Sequence, residues 1–287
     1  MPNVYEIVTQ RIIQQLQSGT APWHKPWKVR GKSGLPRNLV TSREYRGVNV
    51  WILLSSGFSS PYWLTFKQAN LVGGHVRQGS IGFPVVYWKF GTREVEDGDE
   101  IIEKPSVLCC YYTVFNVEQC EGLRLQPARS TEEQPQPIEA CEQVVAAWVQ
   151  KPTITHGGDC ASYNKVLDCI QMPERESFDS AESYYSVLFH ESIHATGHPS
   201  RLNRSSLTDF ERFGDASYSR EELVAEMGAA FLAGYCGIQN QTLDNSVAYL
   251  ANWLEVLKND SRMIVVAGSH AQRAADLILG AAPAVNT

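Results

Sequence analysis

The chain has 287 residues, 43% of them hydrophobic and 20% charged, a balance that fits a folded globular protein and excludes disordered and fibrous classes. No apolar run reaches the roughly 18 residues of a membrane span, and Met1-Pro2-Asn3-Val4-Tyr5-Glu6 lacks the basic-then-apolar order of a secretory signal, so a cytoplasmic protein with no membrane partner is expected. The net charge of −6 is unevenly spread: residues 1–93 hold 12 Lys and Arg against Glu6 and Glu44 alone, while residues 126–287 hold 11 against 21 acids, so a polyanion-binding part is joined to something else.

In chain order, Tyr5, Val8, Ile12 and Leu16 recur at helical spacing and Gly19 stops the run, predicting a short amphipathic helix. Residues 85–90 and 107–117 have strand composition, and the acidic stretch 94–103 around Asp97-Gly98 predicts an exposed hairpin between them. Residues 1–125 are therefore expected to form an α+β domain on an antiparallel sheet. Residues 126–138, with prolines at 127, 135 and 137 and almost nothing apolar, read as a linker. The seven cysteines are odd in number and include no C-x-x-C pair, which predicts reduced, mostly buried thiols.

Residues 139–287 open with a predicted helix over 139–150. Strands are predicted at 153–155, 161–165 and 167–171, with His156-Gly157-Gly158-Asp159 as a turn. From Asp179 the pattern is helical: Asp179 and Glu182 are spaced as a capping box and Gly197 is the stop. Further helices fit 220–235, 245–258 and 261–279, the last ended by Gly280. A small sheet followed by helices is similar to the layout of zincin-like metallopeptidases, so the whole chain is expected to be α+β.

His190-Glu191-Ser192-Ile193-His194 is an H-E-x-x-H run on the helix that starts near Asp179. Spacing i, i+4 puts both imidazoles on one helix face, where both can ligate one Zn2+, and Glu191 is placed to act as general base. A catalytic site needs a third protein ligand. His198 is close in sequence, but the metzincin pattern fails because Ser200 stands where its last histidine belongs. Glu222 and Glu226, four apart on the next helix, share a face; one can bind metal while the other orients a histidine.

The runs from Tyr184 through His198, Arg201 to Arg204 and Tyr218 to Glu226 resemble the C-terminal part of ArdC-type antirestriction proteins, which occur on plasmids and mobile elements and have relatives in some conjugative primases. The resemblance extends over Tyr249-Leu250-Ala251-Asn252-Trp253-Leu254 and Ser269 to Asp276. Glu222-Leu223-Val224-Ala225 matches the Glu-x-x-Ala of glutamate zincins, which implies Glu222 as third ligand and Glu226 behind it. The implied cofactor is Zn2+, or another divalent metal in its place.

The basic first third carries 13 aromatics. Trp23-His24-Lys25-Pro26-Trp27-Lys28 alternates cations with indoles, and Arg43 and Arg46 follow. Cations that track phosphates among rings that stack on bases suit single-stranded nucleic acid, so Trp23, Lys25, Trp27, Lys28, Arg43 and Arg46 are the candidate DNA contacts. Trp51, Trp63 and Trp88 sit in apolar runs and are expected in the core. The Trp23–Trp27 run, Tyr45-Arg46-Gly47-Val48-Asn49, Trp63 to Ala69 and Gly73 to Gly79 resemble the ArdC N-terminal domain, which implies binding of single-stranded DNA with little sequence preference. The resemblance implies protection of incoming plasmid DNA from restriction during conjugation, by occluding the DNA or by cleaving a protein associated with it. The alternatives are a DNA coat with a structural metal and a peptidase acting on a host regulatory protein.

Overall fold

In a computed structural model of the chain, residues 3–19, 21, 23, 35–97, 100–124, 136–208, 216–238 and 247–281 are described. Helix α1 (Val4–Gln17) begins at a reciprocal cap, in which Asn3 Oδ1 accepts from the Glu6 amide and Glu6 accepts from the Asn3 amide, each at 2.9 Å. Its buried stripe contains Val8, Ile12 and Leu16. Strand β1 (Arg37–Asn38), helix α2 (Val48–Leu54), strand β2 (Tyr62–Leu64), helix α3 (Phe66–Leu71) and strand β3 (His75–Val76) follow.

Strands β4 (Phe83–Asp97) and β5 (Glu100–Asn116) form one long antiparallel hairpin. Pairing runs from Phe83–Val114 to Asp97–Glu100, so the acidic stretch 94–103 forms the end of the hairpin, as its sequence predicts. The four-stranded sheet has the order β1-β2-β5-β4 and is antiparallel except for the two-residue β1–β2 pair, which is parallel. A short strand β6 (Cys120–Glu121) pairs with β3.

Helix α4 (Pro137–Ala147) starts inside the stretch read as linker, with Pro137 in its first turn, where a missing N–H costs nothing. Strands β7 (Thr153–His156), β8 (Ser162–Asn164) and β9 (Cys169–Met172) make a sheet of order β7-β9-β8, with β8 antiparallel to β9. Helix α5 (Ala181–Thr196), the four-residue α6 (Ser205–Thr208), α7 (Ala216–Cys236), α8 (Val247–Asn259) and α9 (Met263–Leu279) complete the described elements. Ser180 caps α5, accepting from the Ser183 amide, so the cap lies one residue beyond the expected Asp179. Of the cysteines, only Cys141 and Cys236 are buried; Cys109 and Cys110 lie partly exposed on the hairpin. Among the described residues, no helix is long and apolar enough to cross a membrane.

One hydrophobic core runs through residues on both sides of segment 126–138. Trp51 of α2 packs on Phe231 of α7 at 4.6 Å between ring centroids, and Thr9 Oγ1 donates to the Ser261 carbonyl at 2.6 Å. The start of α2 docks directly on α9: Arg46 pairs with Asp276, and the Gly47 amide donates to Gln272 Oε1 at 3.1 Å. Gly268 makes this approach possible, because a Cβ there would sit 2.7 Å from the Val48 amide nitrogen. Gly268→Ala is expected to cost about 1–3 kcal/mol, as overpacking at a backbone contact does. Urea denaturation checks this; an unchanged midpoint would mean that the seam opens freely.

Candidate metal centre

Helix α5 is buried nearly all round from Tyr184 to Thr196, so H-E-x-x-H lies in the interior and not on a helix surface. Helix α7 crosses it closely at Gly228, where a Cβ would fall 2.7 Å from Ile193. That approach brings the acidic face of α7 onto the histidines. One ligand atom each from His190, His194 and Glu222 lies within 4.8 Å of the others. The two Nε2 atoms are 3.1 Å apart, and Glu222 straddles them, its oxygens 3.4 Å from His190 and 3.5 Å from His194.

The outer nitrogens meet further carboxylates. Glu226 Oε1 is 3.4 Å from His190 Nδ1, short of a well-formed hydrogen bond, and Glu221 Oε1 is 3.3 Å from His194 Nδ1. Glu221 is in turn held by Arg204, whose Nη2 and Nε donate at 2.5 and 3.1 Å, and by Ser206 Oγ at 2.6 Å. The same guanidinium donates to Thr196 Oγ1 and to the Ile193 carbonyl, each at 2.7 Å, so one buried arginine ties the end of α5 to the start of α7. Glu191 is buried beside His190 and acts electrostatically on both imidazoles.

This cluster is short of positive charge. Burial works to lower the pKa of His190, yet the carboxylates of Glu222 and Glu226, one beside each ring nitrogen, raise it well above the ordinary histidine value. His194 is raised too, against its burial, by the charge of Glu222 and its bond to Glu221. Glu222 is lowered despite burial by the two imidazoles, which are its ion-pair partners among the described residues. A dication between the two Nε2 atoms and Glu222 would supply the missing charge while leaving both imidazoles neutral and ligating. The residues present fit such an ion. His198 lies outside the cluster, turned to Ser200 Oγ at 2.7 Å.

Comparison with known proteins gives the lineage. Residues 2–115 match the N-terminal domain of anti-restriction factor ArdC, and residues 139–270 match a zincin-like metallopeptidase family. Crystal structures of the antirestriction protein ArdC from plasmid R388, metal-free and Mn(II)-bound, superpose with TM-scores of 0.75 and 0.74 at 38% identity. They cover 96% and 97% of this chain, and the chain covers 97% and 98% of theirs. The chain belongs to the ArdC antirestriction family. An uncharacterized protein y4eC of Sinorhizobium fredii (strain NBRC 101917 / NGR234) is 34% identical over 96% of this chain and 91% of its own length. Two Escherichia coli proteins named DNA primase TraC are 36% and 35% identical, but the chain spans only 27% and 20% of their length.

The ArdC-type N-terminal region places the expected DNA contacts unequally. Trp23 is 1% exposed and meets Trp253 edge-on at 5.5 Å, so its indole is core and offers no face to a base. Arg46 is committed to Asp276 at the α2–α9 seam. Arg43 is exposed beside a surface cleft. Lys25, Trp27 and Lys28 lie outside the described residues. Trp51 and Trp63 are buried as expected, and Trp88 is partly buried against the core. Sequence reasoning missed Glu221 and Arg204 as supports of the ArdC-type site. The signal was present: an arginine just after the helix stop at Gly197, and a third acid beside Glu222.

Proposed function

We propose that the protein binds single-stranded DNA without strong sequence preference and hydrolyses a peptide bond of a DNA-associated protein at a Zn2+ centre, so protecting incoming plasmid DNA from restriction during conjugation. The convergence of His190, His194 and Glu222 within 4.8 Å, backed by Glu221 and Glu226, carries this reading. His190, His194 and Glu222 would hold the metal, and two imidazoles with one carboxylate suit zinc. A bound dication supplies Lewis acidity at a water or a carbonyl oxygen.

The chain's own groups do the rest. Glu221 accepts a hydrogen bond from the His194 Nδ1–H, which fixes the tautomer and leaves the Nε2 lone pair facing inward. Glu226 lies on the corresponding side of His190. Glu191, buried on the same helix and near both imidazoles, takes a proton from the attacking water at its carboxylate and returns it to the leaving amine. Glu191→Gln is expected to keep metal and DNA affinity but lose protection of transferred DNA in a conjugation assay against a restricting host. Full protection by that variant would leave a DNA coat with a structural metal as the function.

A further inference from the structure

We infer that the cleft between the β1–α2 connection, α3 and Tyr112 of β5, continued along the hairpin face to Tyr87, is the single-strand track of this protein, phosphates lying on Arg43 and Lys67 and bases on the two tyrosine rings. The inference rests on the proposal that the protein binds single-stranded DNA, and it names the site.

The cleft holds about 790 Å3, and Arg43, Tyr45, Lys67, Asn70, Leu71 and Tyr112 are among its lining residues. It is built in advance. Asn38 Oδ1 accepts from the amides of Val40 and Thr41, each at 3.0 Å, which curls the connection after β1. Asn38 and Gln68 exchange side-chain hydrogen bonds at 3.0 and 3.2 Å, bolting that connection to the first turn of α3. Gln68 also completes the reciprocal cap with Thr65 that starts α3 and fixes where Lys67 stands. The walls are thus held by hydrogen bonds that need no ligand.

Charge then selects the occupant. Arg43 and Lys67 are both exposed, and neither has a side-chain ion-pair or hydrogen-bond partner among the described residues. The one acid lining the cleft, Glu44, is engaged with Arg37 at 2.8 Å. The free charge of the cleft is therefore positive, and its lining residues other than Tyr112 come from residues 1–93, where Lys and Arg outnumber acids sixfold.

The floor supplies the second element. Tyr112 stands opposite Val85 in the ladder, and Tyr87 is two residues beyond Val85, so both rings point from one sheet face. They remain 40% and 45% exposed, with centroids 5.7 Å apart. The same face continues to the pair Lys89–Leu108, which puts a third exposed cation at its far end. Exposed rings in series on a sheet, flanked by unpaired cations, offer faces for unstacked bases and charge for the backbone between them. A duplex keeps its base faces covered and cannot use the rings, so the fit is to a single strand.

The test is fluorescence anisotropy with the full chain and a labelled mixed-sequence DNA of about 16 nucleotides, the upper size of a single-strand site of this kind, titrated between about 50 and 200 mM salt. Tyr112→Ala and Tyr87→Ala are each expected to weaken binding about 5- to 100-fold, and Tyr112→Phe, which keeps the ring, to stay near the wild-type affinity. Arg43→Ala and Lys67→Ala are each expected to flatten the dependence of log affinity on log salt by roughly 0.7. Unchanged melting curves and metal content separate these effects from unfolding. If the wild-type chain binds DNA but Tyr87→Ala and the Arg43→Ala/Lys67→Ala pair bind equally well, the track lies elsewhere and only this inference falls. A wild-type chain without affinity for the oligonucleotide removes the DNA-binding proposal itself. Tighter binding of RNA of the same sequence overturns DNA as the occupant.

Discussion

Glu222→Ala is expected to leave purified protein without stoichiometric metal, measured by elemental analysis and by chelator competition. Two imidazole nitrogens would remain at the centre, and the bridge that lies 3.4 Å from one and 3.5 Å from the other would be gone. Glu226→Ala is expected to cost much less, about 10- to 100-fold in affinity, because Glu226 stands at the far nitrogen of His190, outside the three-residue ligand group. His198→Ala is expected to change nothing, since that imidazole bonds to Ser200. The reverse order, metal lost with Glu226→Ala and kept with Glu222→Ala, would exchange the roles of the two carboxylates.

The largest effect on stability is expected at Glu221. Its carboxylate and the Arg204 guanidinium are each 1% exposed at the side chain, so removing one charge strands the other in the interior. Glu221→Gln is expected to cost about 3–5 kcal/mol on that ground. Replacing both partners by apolar residues, as in Arg204→Met with Glu221→Leu, should recover most of the stability. It should not recover metal affinity, because His194 Nδ1 then has no acceptor. That split between melting and metal binding separates a packing role from a positioning role.

Acid should reveal the same residue. Burial alone would raise the Glu221 pKa, but the bonds from His194 and Arg204 hold it at about 2, against 4.5 for a free glutamate. A carboxylate lowered in the folded state favours folding fully above the unfolded value and loses that contribution as pH falls through the folded one. A term of order 3 kcal/mol is therefore present above about pH 4.5 and fades toward pH 2. Urea midpoints measured across that window should fall in the wild-type chain and fall less in the apolar double variant.

Much of this was readable from the sequence where the pattern is long or the chemistry rare. The spacing of His190, Glu191 and His194 needs only helix geometry, and the residues of α1, α5 and α9 carry clear periodicity or stops. Short elements hide. The box from Thr65 to Gln68 signals α3, but a helix of six residues offers no periodicity to go with it. Helix α2 is Val48-Asn49-Val50-Trp51-Ile52-Leu53-Leu54, rich in residues that favour strands; it is helical because Val50 to Leu53 are all buried in the core, and packing outweighs propensity. For Trp23 and Arg46 the limit is related: a basic, aromatic composition does not say that one ring packs edge-on against Trp253 or that one cation pairs with Asp276.

The seam between Arg46, Gly47 and Val48 on one side and Gly268, Gln272 and Asp276 on the other bears on how such chains can recombine. Helix α9 packs on α7, which carries Glu222, and it also receives the start of α2. A chimera joining the first 125 residues of one family member to the remainder of another would have to inherit both halves of this lock. A mismatch at residue 46 would leave the buried Asp276 carboxylate without its counterpart. Exchange of parts between members is therefore restricted to partners that already agree at six positions far apart in sequence.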